Sequence, residues 1–425
     1  MRTLGNVSHF LSGGTPKKNN SQYWGGEIPW YSAANMKSKF LSTTDITITH
    51  SGLDAGSRIA PKSSTLILVR GSGLFNHIPI CFADQPVAFN QDVKALVPLE
   101  GIDPLFFHYW IESLRPTLIE NLGVTGIGAG KIDTDFLKGL PFPEMPLSEQ
   151  REIGLYASSF DRKIEINHRT AATLEEMARA LYRSWFVDFD PVHAKAQGRA
   201  PAHMDPTTAA FFPNRFGEDG LPEGWERGTL RDLIDFNPRE RLKKGMSTPY
   251  LDMKALPTSG MIANSAYMRS FTSGTKFREG DTLLARITPC LENGKTAMVD
   301  DLLGAEVGWG STEFIVMRGK AYVPPIFAYC VARDSDFREA AIATMTGSSG
   351  RQRADADRIS HAECALPTQY VLDAFGYQTA PMVKRIHGMG RENQTLAQLR
   401  DTLLPKLMSG ELRIREAQKQ VEAVA

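Results

Sequence analysis

The sequence has few cysteines, no long apolar run and no excess of either charge. Its four cysteines, Cys81, Cys290, Cys330 and Cys364, stand alone, without the Cys-x-x-Cys spacing of a zinc site or a disulfide framework. We find no run near the ~18 apolar residues that a membrane-spanning helix needs, and the first residues open no signal peptide. These absences predict a reduced, cytoplasmic protein that contacts no membrane.

The charges balance, with 48 lysines and arginines against 48 aspartates and glutamates. A molecule without net charge has no long-range basic field, and this counts against a nucleic-acid binder that works alone, because neutralised phosphates normally supply much of the affinity. If the chain binds DNA, local basic patches or a partner have to supply the phosphate contacts.

Catalytic motifs are also missing. An amino-methyltransferase motif would read Asn-Pro-Pro-aromatic, but the nearest match is Asn237-Pro238-Arg239. The stretch Thr125–Ile132 resembles a phosphate-binding loop but lacks its first glycine and its final serine or threonine. The histidines form no His-Glu-x-x-His motif, and no serine lies in a Gly-x-Ser-x-Gly elbow. We therefore predict a non-catalytic chain, and keep as an alternative a fused DNA-modifying enzyme whose centre uses scattered carboxylates.

What the sequence does contain is an internal repeat displaced by about 221 residues. The two copies match at several places in order: Thr3–Val7 with Thr229–Leu233, Ser64–Arg70 with Gly280–Arg286, Asn90–Asp92 with Ser311–Glu313, Pro104–Phe106 with Pro325–Phe327, and Thr125–Lys131 with Thr346–Gln352. The period is far longer than the ~20 to 50 residues of a solenoid repeat. We predict two similar mixed α/β domains of an α+β protein, related by a pseudo-two-fold axis.

Each copy ends in a segment with a heptad pattern, in which apolar residues recur alternately every four and three positions. A helix of about 27 residues would be about 40 Å long. We predict an antiparallel two-helix coiled-coil spacer between the domains; the alternative is that each helix packs only on its own domain. The predicted seam residues are Phe160, Ile164, Asn167, Leu174, Leu181 and Trp185 in the first helix, and Met382, Ile386, Asn393, Leu396, Leu403 and Leu407 in the second.

The predicted boundaries follow from these patterns. The first α/β domain covers residues 1–147 and the first spacer helix 148–190, and an irregular linker follows at 191–223. The second α/β domain covers 224–367 and the second spacer helix 368–415.

Polar groups suited to DNA recur in both halves. Arginine forks at strand ends can read guanine bidentately, and amides or carboxylates can read adenine or cytosine. The glycine-rich loops 126–130 and 347–350 are either simple turns or backbone nests for phosphate. The candidate DNA-binding residues are Arg70, Ser72, Asn90, Gln91, Asp92 and Lys131 in the first half, and Arg239, Arg241, Lys243, Lys244, Arg286, Ser311, Thr312, Glu313, Ser348, Ser349, Arg351, Gln352 and Arg353 in the second. We predict no metal site.

Several motifs together resemble the specificity subunit of type I restriction-modification enzymes. They are Leu4–Val7 with Ser12–Pro16 and Gly25–Trp30, the segment Pro141–Ile153, the segment Trp185–Val192, and Leu221–Trp225 at the start of the second domain. The resemblance covers nearly the whole chain. One departure is that Pro367-Thr368-Gln369-Tyr370-Val371 replaces the Pro-Leu-Ser-Glu-Gln-Arg of the first copy, so partner docking is expected to be less symmetric.

The resemblance implies two target-recognition domains, each of which reads one half of a bipartite site in double-stranded DNA. It also implies that two methylation subunits dock on the chain and that restriction subunits join the complex. S-adenosylmethionine, ATP and magnesium are then expected on those partners, with no cofactor on this chain. A structural adaptor that does not read DNA remains a further alternative.

Overall fold

The computed structural model describes residues 2–126, 128–264, 266–348 and 350–422, and they form two compact units. Unit 1 combines the residues up to Glu165 with those from Asn393 onward, and unit 2 is the continuous stretch Ile166–Glu392. Sheets and helices occur in both units, which confirms the predicted fold class.

Unit 1 begins with short strands separated by turns. The strands are β1 (Ser8–Ser12), β2 (Trp24–Tyr31), β3 (Phe40–Leu41), β4 (Thr47–Ile48), β5 (Ile59–Ala60), β6 (Thr65–Leu68), β7 (Arg70–Gly71), β8 (Ile80–Ala83), β9 (Val87–Phe89), β10 (Val93–Pro98), β11 (Gly123–Val124) and β12 (Gly130–Lys131). The helices are α1 (Leu4–Val7), α2 (His50–Asp54), α3 (Pro104–Ser113), α4 (Arg115–Glu120), α5 (Thr134–Gly139) and α6 (Leu147–Phe186), the last of which continues into unit 2.

Unit 2 repeats this alternation. Its strands are β13 (Glu226–Thr229), β14 (Ile234–Phe236), β15 (Ser247–Leu251), β16 (Tyr267–Ser270), β17 (Thr275–Phe277), β18 (Thr282–Ala285), β19 (Thr296–Met298), β20 (Gly308–Gly310), β21 (Phe314–Gly319) and β22 (Glu363–Leu366). The helices that follow α6 are α7 (Asp190–Ala196), α8 (Pro206–Ala210), α9 (Leu230–Leu233), α10 (Pro325–Arg333), α11 (Ser335–Ala343), α12 (Ala356–Ser360) and α13 (Gln369–Ser409). Helix α13 passes back into unit 1, which also contains the last helix, α14 (Ile414–Glu422). The predicted linker therefore contains α8 and most of α7.

The two units pair their strands in the same order. Unit 1 has sheets β4-β2-β9-β5 and β1-β10-β6-β8-β3, and unit 2 has β16-β15-β20-β17 and β14-β21-β18-β19. In each unit one parallel pair interrupts the first sheet: β2 with β9 in unit 1 and β15 with β20 in unit 2. The internal repeat is thus present in the hydrogen bonding of the backbone.

The structure corrects one detail of the repeat. The Val69 amide donates to the Asp92 carbonyl at 2.8 Å, and the Arg286 amide donates to the Glu313 carbonyl at 2.9 Å. Arg286 therefore occupies the place of Val69, and our alignment of Arg70 with Arg286 was wrong by one residue. The reason is that β6 and β18 are buried along their whole lengths, so their apolar sequence carries no alternation from which to fix the register.

The long helices α6 and α13 contribute to both units. The predicted seam residues are buried or half-buried throughout, as the heptad pattern requires. In unit 2, the side chain of Asn167 is buried and its amide donates to Glu392 Oε2 at 2.9 Å. The ring of Trp185 lies 6.1 Å from that of Phe375, so the helices run antiparallel there. Within each unit the helices also pack on the α/β core, so both of the packing modes that we considered occur.

In unit 1 the seam carries an ion pair where the apolar pattern is interrupted. Arg400 of α13 pairs with Asp161 of α6. Asp161 also accepts the Tyr109 hydroxyl at 2.7 Å and lies 3.2 Å from Lys39 Nζ. The buried carboxylate of Asp161 is thus surrounded by donors, and these donors compensate its charge at this polar position of the seam.

Replacing Arg400 by Met should destabilise unit 1 by about 3 kcal/mol, because a carboxylate that loses one partner stays buried. The side chains of Arg400 and Asp161 are 17% and 5% exposed. Arg413→Met is the matched control, since Arg413 and its partner Glu149 are 67% and 26% exposed. That pair should contribute ~1 kcal/mol or less. Equal losses in urea unfolding of the two variants would contradict this interpretation.

Candidate nucleic-acid interface

A cationic groove of about 690 Å³ opens on unit 2. The loop after β14 forms one wall, and β17, the residue after β18 and the start of β21 form the remainder. Four cationic side chains line it: Arg239, Arg241, Lys276 and Arg286. Three of them were sequence candidates, and the structure brings them together with a fourth candidate, Thr312. A chain without net charge therefore has a locally positive surface.

Glu240 explains why both arginines of the loop face outward. Its side chain is 3% exposed and accepts hydrogen bonds from Arg278 and Arg318, both at 2.7 Å. Burial alone would raise the pKa of this carboxyl, but the two guanidinium groups lower it, so the side chain stays ionised. Because alternate residues of an extended segment point to opposite sides, Arg239 and Arg241 are left exposed.

Arg318 fixes the position of the Glu240 side chain. Its guanidinium contacts both oxygens of the buried Asp281 at 2.6 and 2.7 Å and donates to Glu240. The carbonyl of Glu240 accepts Lys276 Nζ at 3.0 Å. Charged hydrogen bonds therefore hold the loop that carries Glu240 in place, and Lys276 is oriented before any ligand arrives.

Arg286 has an unsatisfied donor in the groove. Its backbone is held by Glu313 and by Ala354, whose amide donates to the Arg286 carbonyl at 2.8 Å. Its Nε is buried without a hydrogen-bond partner among the described residues. Leaving a buried charged donor unpaired is unfavourable, so this guanidinium is suited to bind an acceptor from outside.

Glu313 and Arg353 form a salt bridge with each other. Arg353 donates to both carboxylate oxygens, with Nη2 2.7 Å from Oε1. This fork and the nearby Arg286 lower the pKa of Glu313. Ser311 accepts the Glu313 amide through its hydroxyl at 3.1 Å. Of the three consecutive candidates Ser311, Thr312 and Glu313, Thr312 is the exposed one.

The second glycine-rich loop is a turn closed by paired backbone hydrogen bonds between Thr346 and Arg353. Ser348 and Arg351 are exposed on it, and Gln352 is half-buried. The predicted candidate Ser349 lies outside the described residues.

In unit 1, Arg70 and Lys131 are brought together. They are direct cross-strand partners in the small sheet β11-β12-β7, and both are exposed. Ser72 follows on an exposed turn. The first glycine-rich loop joins β11 to β12, and the amides of Gly128 and Ala129 both donate to Thr125. Those amides are already bonded, which favours the turn over the phosphate nest.

The remaining unit 1 candidates are bonded to one another. Asn90 is buried, and its amide group contacts the side chain and backbone of Asp92 at 3.2 Å. Gln91 is exposed and accepts the Thr15 hydroxyl at 2.7 Å. Asn90 thus shapes the turn, and Gln91 is the member of the three that is open to a ligand.

Sequence reasoning missed the lysine pair Lys17 and Lys18 of unit 1, which matches the candidate pair Lys243 and Lys244 of unit 2. In unit 2, Lys243 and Lys244 begin a turn in which the Met246 amide donates to the Lys243 carbonyl at 3.1 Å. Unit 1 has the same turn at Lys17 and Lys18, where the Asn20 amide donates to the Lys17 carbonyl at 3.2 Å. All four lysines are exposed. The signal was a Lys-Lys pair a few residues after β1 and β14, which our alignment of the halves had passed over.

Comparison with known proteins relates the first part of the chain to one domain family. The profile of the type I restriction modification DNA specificity domain matches residues 1–176. The MjaIX type I specificity subunit of Methanocaldococcus jannaschii is 23% identical over 98% of this chain and 94% of its own length. The chain is therefore similar, along nearly its whole length, to a type I specificity subunit. The EcoR124I/EcoR124II specificity subunit of Escherichia coli is 30% identical over 38% of this chain and 40% of its own length.

The fold of the chain agrees with a solved structure. The crystal structure of a type I restriction-modification S subunit from M. genitalium superposes with a TM-score of 0.51, at 16% identity and over 96% of this chain and 95% of that one. Across the ranges described here, no helix is both long and apolar enough to cross a membrane.

Proposed function

We propose that this chain is the non-catalytic reader of a type I restriction-modification complex. Each unit would bind one half of a bipartite site in double-stranded DNA, and α6 and α13 would set the unread gap. The observation that carries the proposal is the repeated strand order, with exposed cations at related loops of both units: Lys17 and Lys18 in one, Lys243 and Lys244 in the other.

The groove of unit 2 supports base reading. It places Arg286 beside the exposed Thr312, a combination of a guanidinium and a hydroxyl suited to base edges. Exposed lysines around it suit phosphates, which position a protein without specifying sequence. In unit 1 the corresponding proposal rests on Arg70, Lys131 and Gln91.

The partners complete the proposal. Two methylation subunits would dock on the chain and supply further phosphate contacts, and restriction subunits would join them. S-adenosylmethionine, ATP and magnesium would bind to those partners, and the complex would act in the cytoplasm. The segments at the starts of α6 and α13 are the expected docking sites, and their sequences differ between the halves.

Methylation mapping in cells that carry the chain and its methylation partner should find two short specified sequences separated by a fixed unread gap. Footprints of the assembled complex should cover both. Binding without sequence preference beside the partner would favour the adaptor, and DNA modification by the purified chain alone would favour a fused enzyme. Either result would contradict the proposal.

A further inference from the structure

Strand β16 is an exposed edge strand beside the groove. It stands at the end of the sheet β16-β15-β20-β17, and all four of its residues are exposed. Tyr267 and Met268 are 49% and 54% exposed. An accessible edge strand with large apolar side chains favours unwanted pairing, and proteins usually protect such edges. This exposure indicates that something covers β16 in the working complex.

Arg269 of β16 is held by aromatic rings. Its guanidinium lies 4.6 Å from the ring centre of Tyr250 and 5.5 Å from that of Trp309. Trp309 is buried, and its Nε1 donates to the Arg269 carbonyl at 3.4 Å. Cation–π contacts orient a guanidinium without using its N–H donors. Among the described residues, none of its side-chain donors has a protein acceptor and no carboxylate pairs with it.

A row of rings connects Arg269 to the groove. The ring of Trp309 lies 5.3 Å from that of Phe271, and Lys276 Nζ, which lines the groove, lies 5.3 Å from the Phe271 ring centre. Phe271 also bonds through its backbone to Gly245 and Met246, so the turn with Lys243 and Lys244 is fixed at the same place. The groove, the turn and β16 are therefore linked by the packing of Phe271 and Trp309.

We propose that Arg269 binds the phosphate backbone of the duplex whose bases enter the groove, an inference that rests on the proposed function. A fixed, unpaired guanidinium matches the two oxygens of a phosphate bidentately. The positive charges beside the end of β16, on Lys243, Lys244 and Lys276, favour a polyanion over an apolar or basic protein surface. Because phosphates occur at every sequence, this contact strengthens binding without changing the target.

The test is Arg269→Gln in the complex assembled with its methylation partner, titrated with the mapped target duplex and with an unrelated duplex at several salt concentrations. Loss of one phosphate contact should reduce the slope of log affinity against log salt by about 0.9. The preference for the target over the unrelated duplex should stay unchanged. Arg269→Lys keeps the charge and should keep the slope.

Arg227→Gln is the matched control, because Arg227 is an exposed arginine of unit 2 that is paired with Glu363 on β13-β22. It should leave the slope unchanged. An unchanged slope for Arg269→Gln in a complex that still selects its target would overturn the inference alone. Loss of the methylation partner from the Arg269→Gln complex would show that β16 binds protein, which also overturns it. A wild-type complex without target preference would reject the proposed function and this inference together.

Discussion

Inserting one heptad into each long helix, after Glu165 and after Glu392, should widen the unread gap by about three base pairs. At about 1.5 Å per residue the insertion lengthens each helix by about 10 Å, and B-DNA rises about 3.4 Å per base pair. A full heptad keeps the seam facing the partner helix. These two points are where the chain passes between unit 1 and unit 2. Methylome sequencing should recover both half-sites at the new separation.

The control for this variant is a heptad inserted in the exposed linker after Gly198, which interrupts neither long helix. Its gap should equal that of the wild type. If the double insertion keeps the original gap while methylation persists, the helices do not measure the distance. Insertion into α6 alone should impair the complex, because one helical connection becomes about 10 Å longer than the other, so that the contacts Asn167–Glu392 and Asp161–Arg400 cannot both be kept along the seam.

Replacing Arg286 by Ala should relax recognition at one base pair of the half-site read by unit 2. Discrimination should fall by about 1 to 3 kcal/mol, or roughly 5- to 150-fold, if the guanidinium contacts a base bidentately. The fold should persist, since the neighbouring strands hold Arg286 through its backbone amide and carbonyl. Methylation mapping should show an additional base tolerated at one position, with the other half-site unchanged.

Arg70→Ala is the companion variant in unit 1, where Arg70 is exposed beside Lys131. It should relax the opposite half-site and leave the half-site of Arg286 intact. Relaxation of the same half-site by both variants would contradict the assignment of one half-site to each unit. An unaltered target after Arg286→Ala would remove this residue from the base contacts.

The sequence predicted the repeat and the helical seam because both are long patterns. Heptads from Phe160 to Trp185 and from Met382 to Leu407 allow little ambiguity, and the seam positions are buried or half-buried as expected. The charged residue that interrupts the apolar pattern at Arg400 is also compatible with the seam, because Asp161 of α6 forms an ion pair with it. What the heptads could not show is that each unit combines parts of both helices, because that depends on tertiary contacts.

The candidate site was less accessible to sequence reasoning. A one-residue error in register led us to align Arg286 with Arg70 instead of Val69. The error arose because consecutive buried apolar residues show no alternation from which to fix the register. Asn90 has the chemistry of a base reader, but its burial against Asp92 depends on tertiary packing. Arg269 gains its orientation from Tyr250 and Trp309, which are distant in sequence. Such roles require three-dimensional proximity.

The stretches of chain that form the two units determine how recombination can exchange them. Unit 2 is one uninterrupted stretch of chain, whereas unit 1 is assembled from two separate stretches. Crossovers within the gene at the two helical joins would exchange residues 166–392 as a single cassette, and a matching heptad phase at the joins would keep the seam continuous. Under the proposed function, recombination at these two points would change the half-site read by unit 2 and leave the half-site read by unit 1 unchanged.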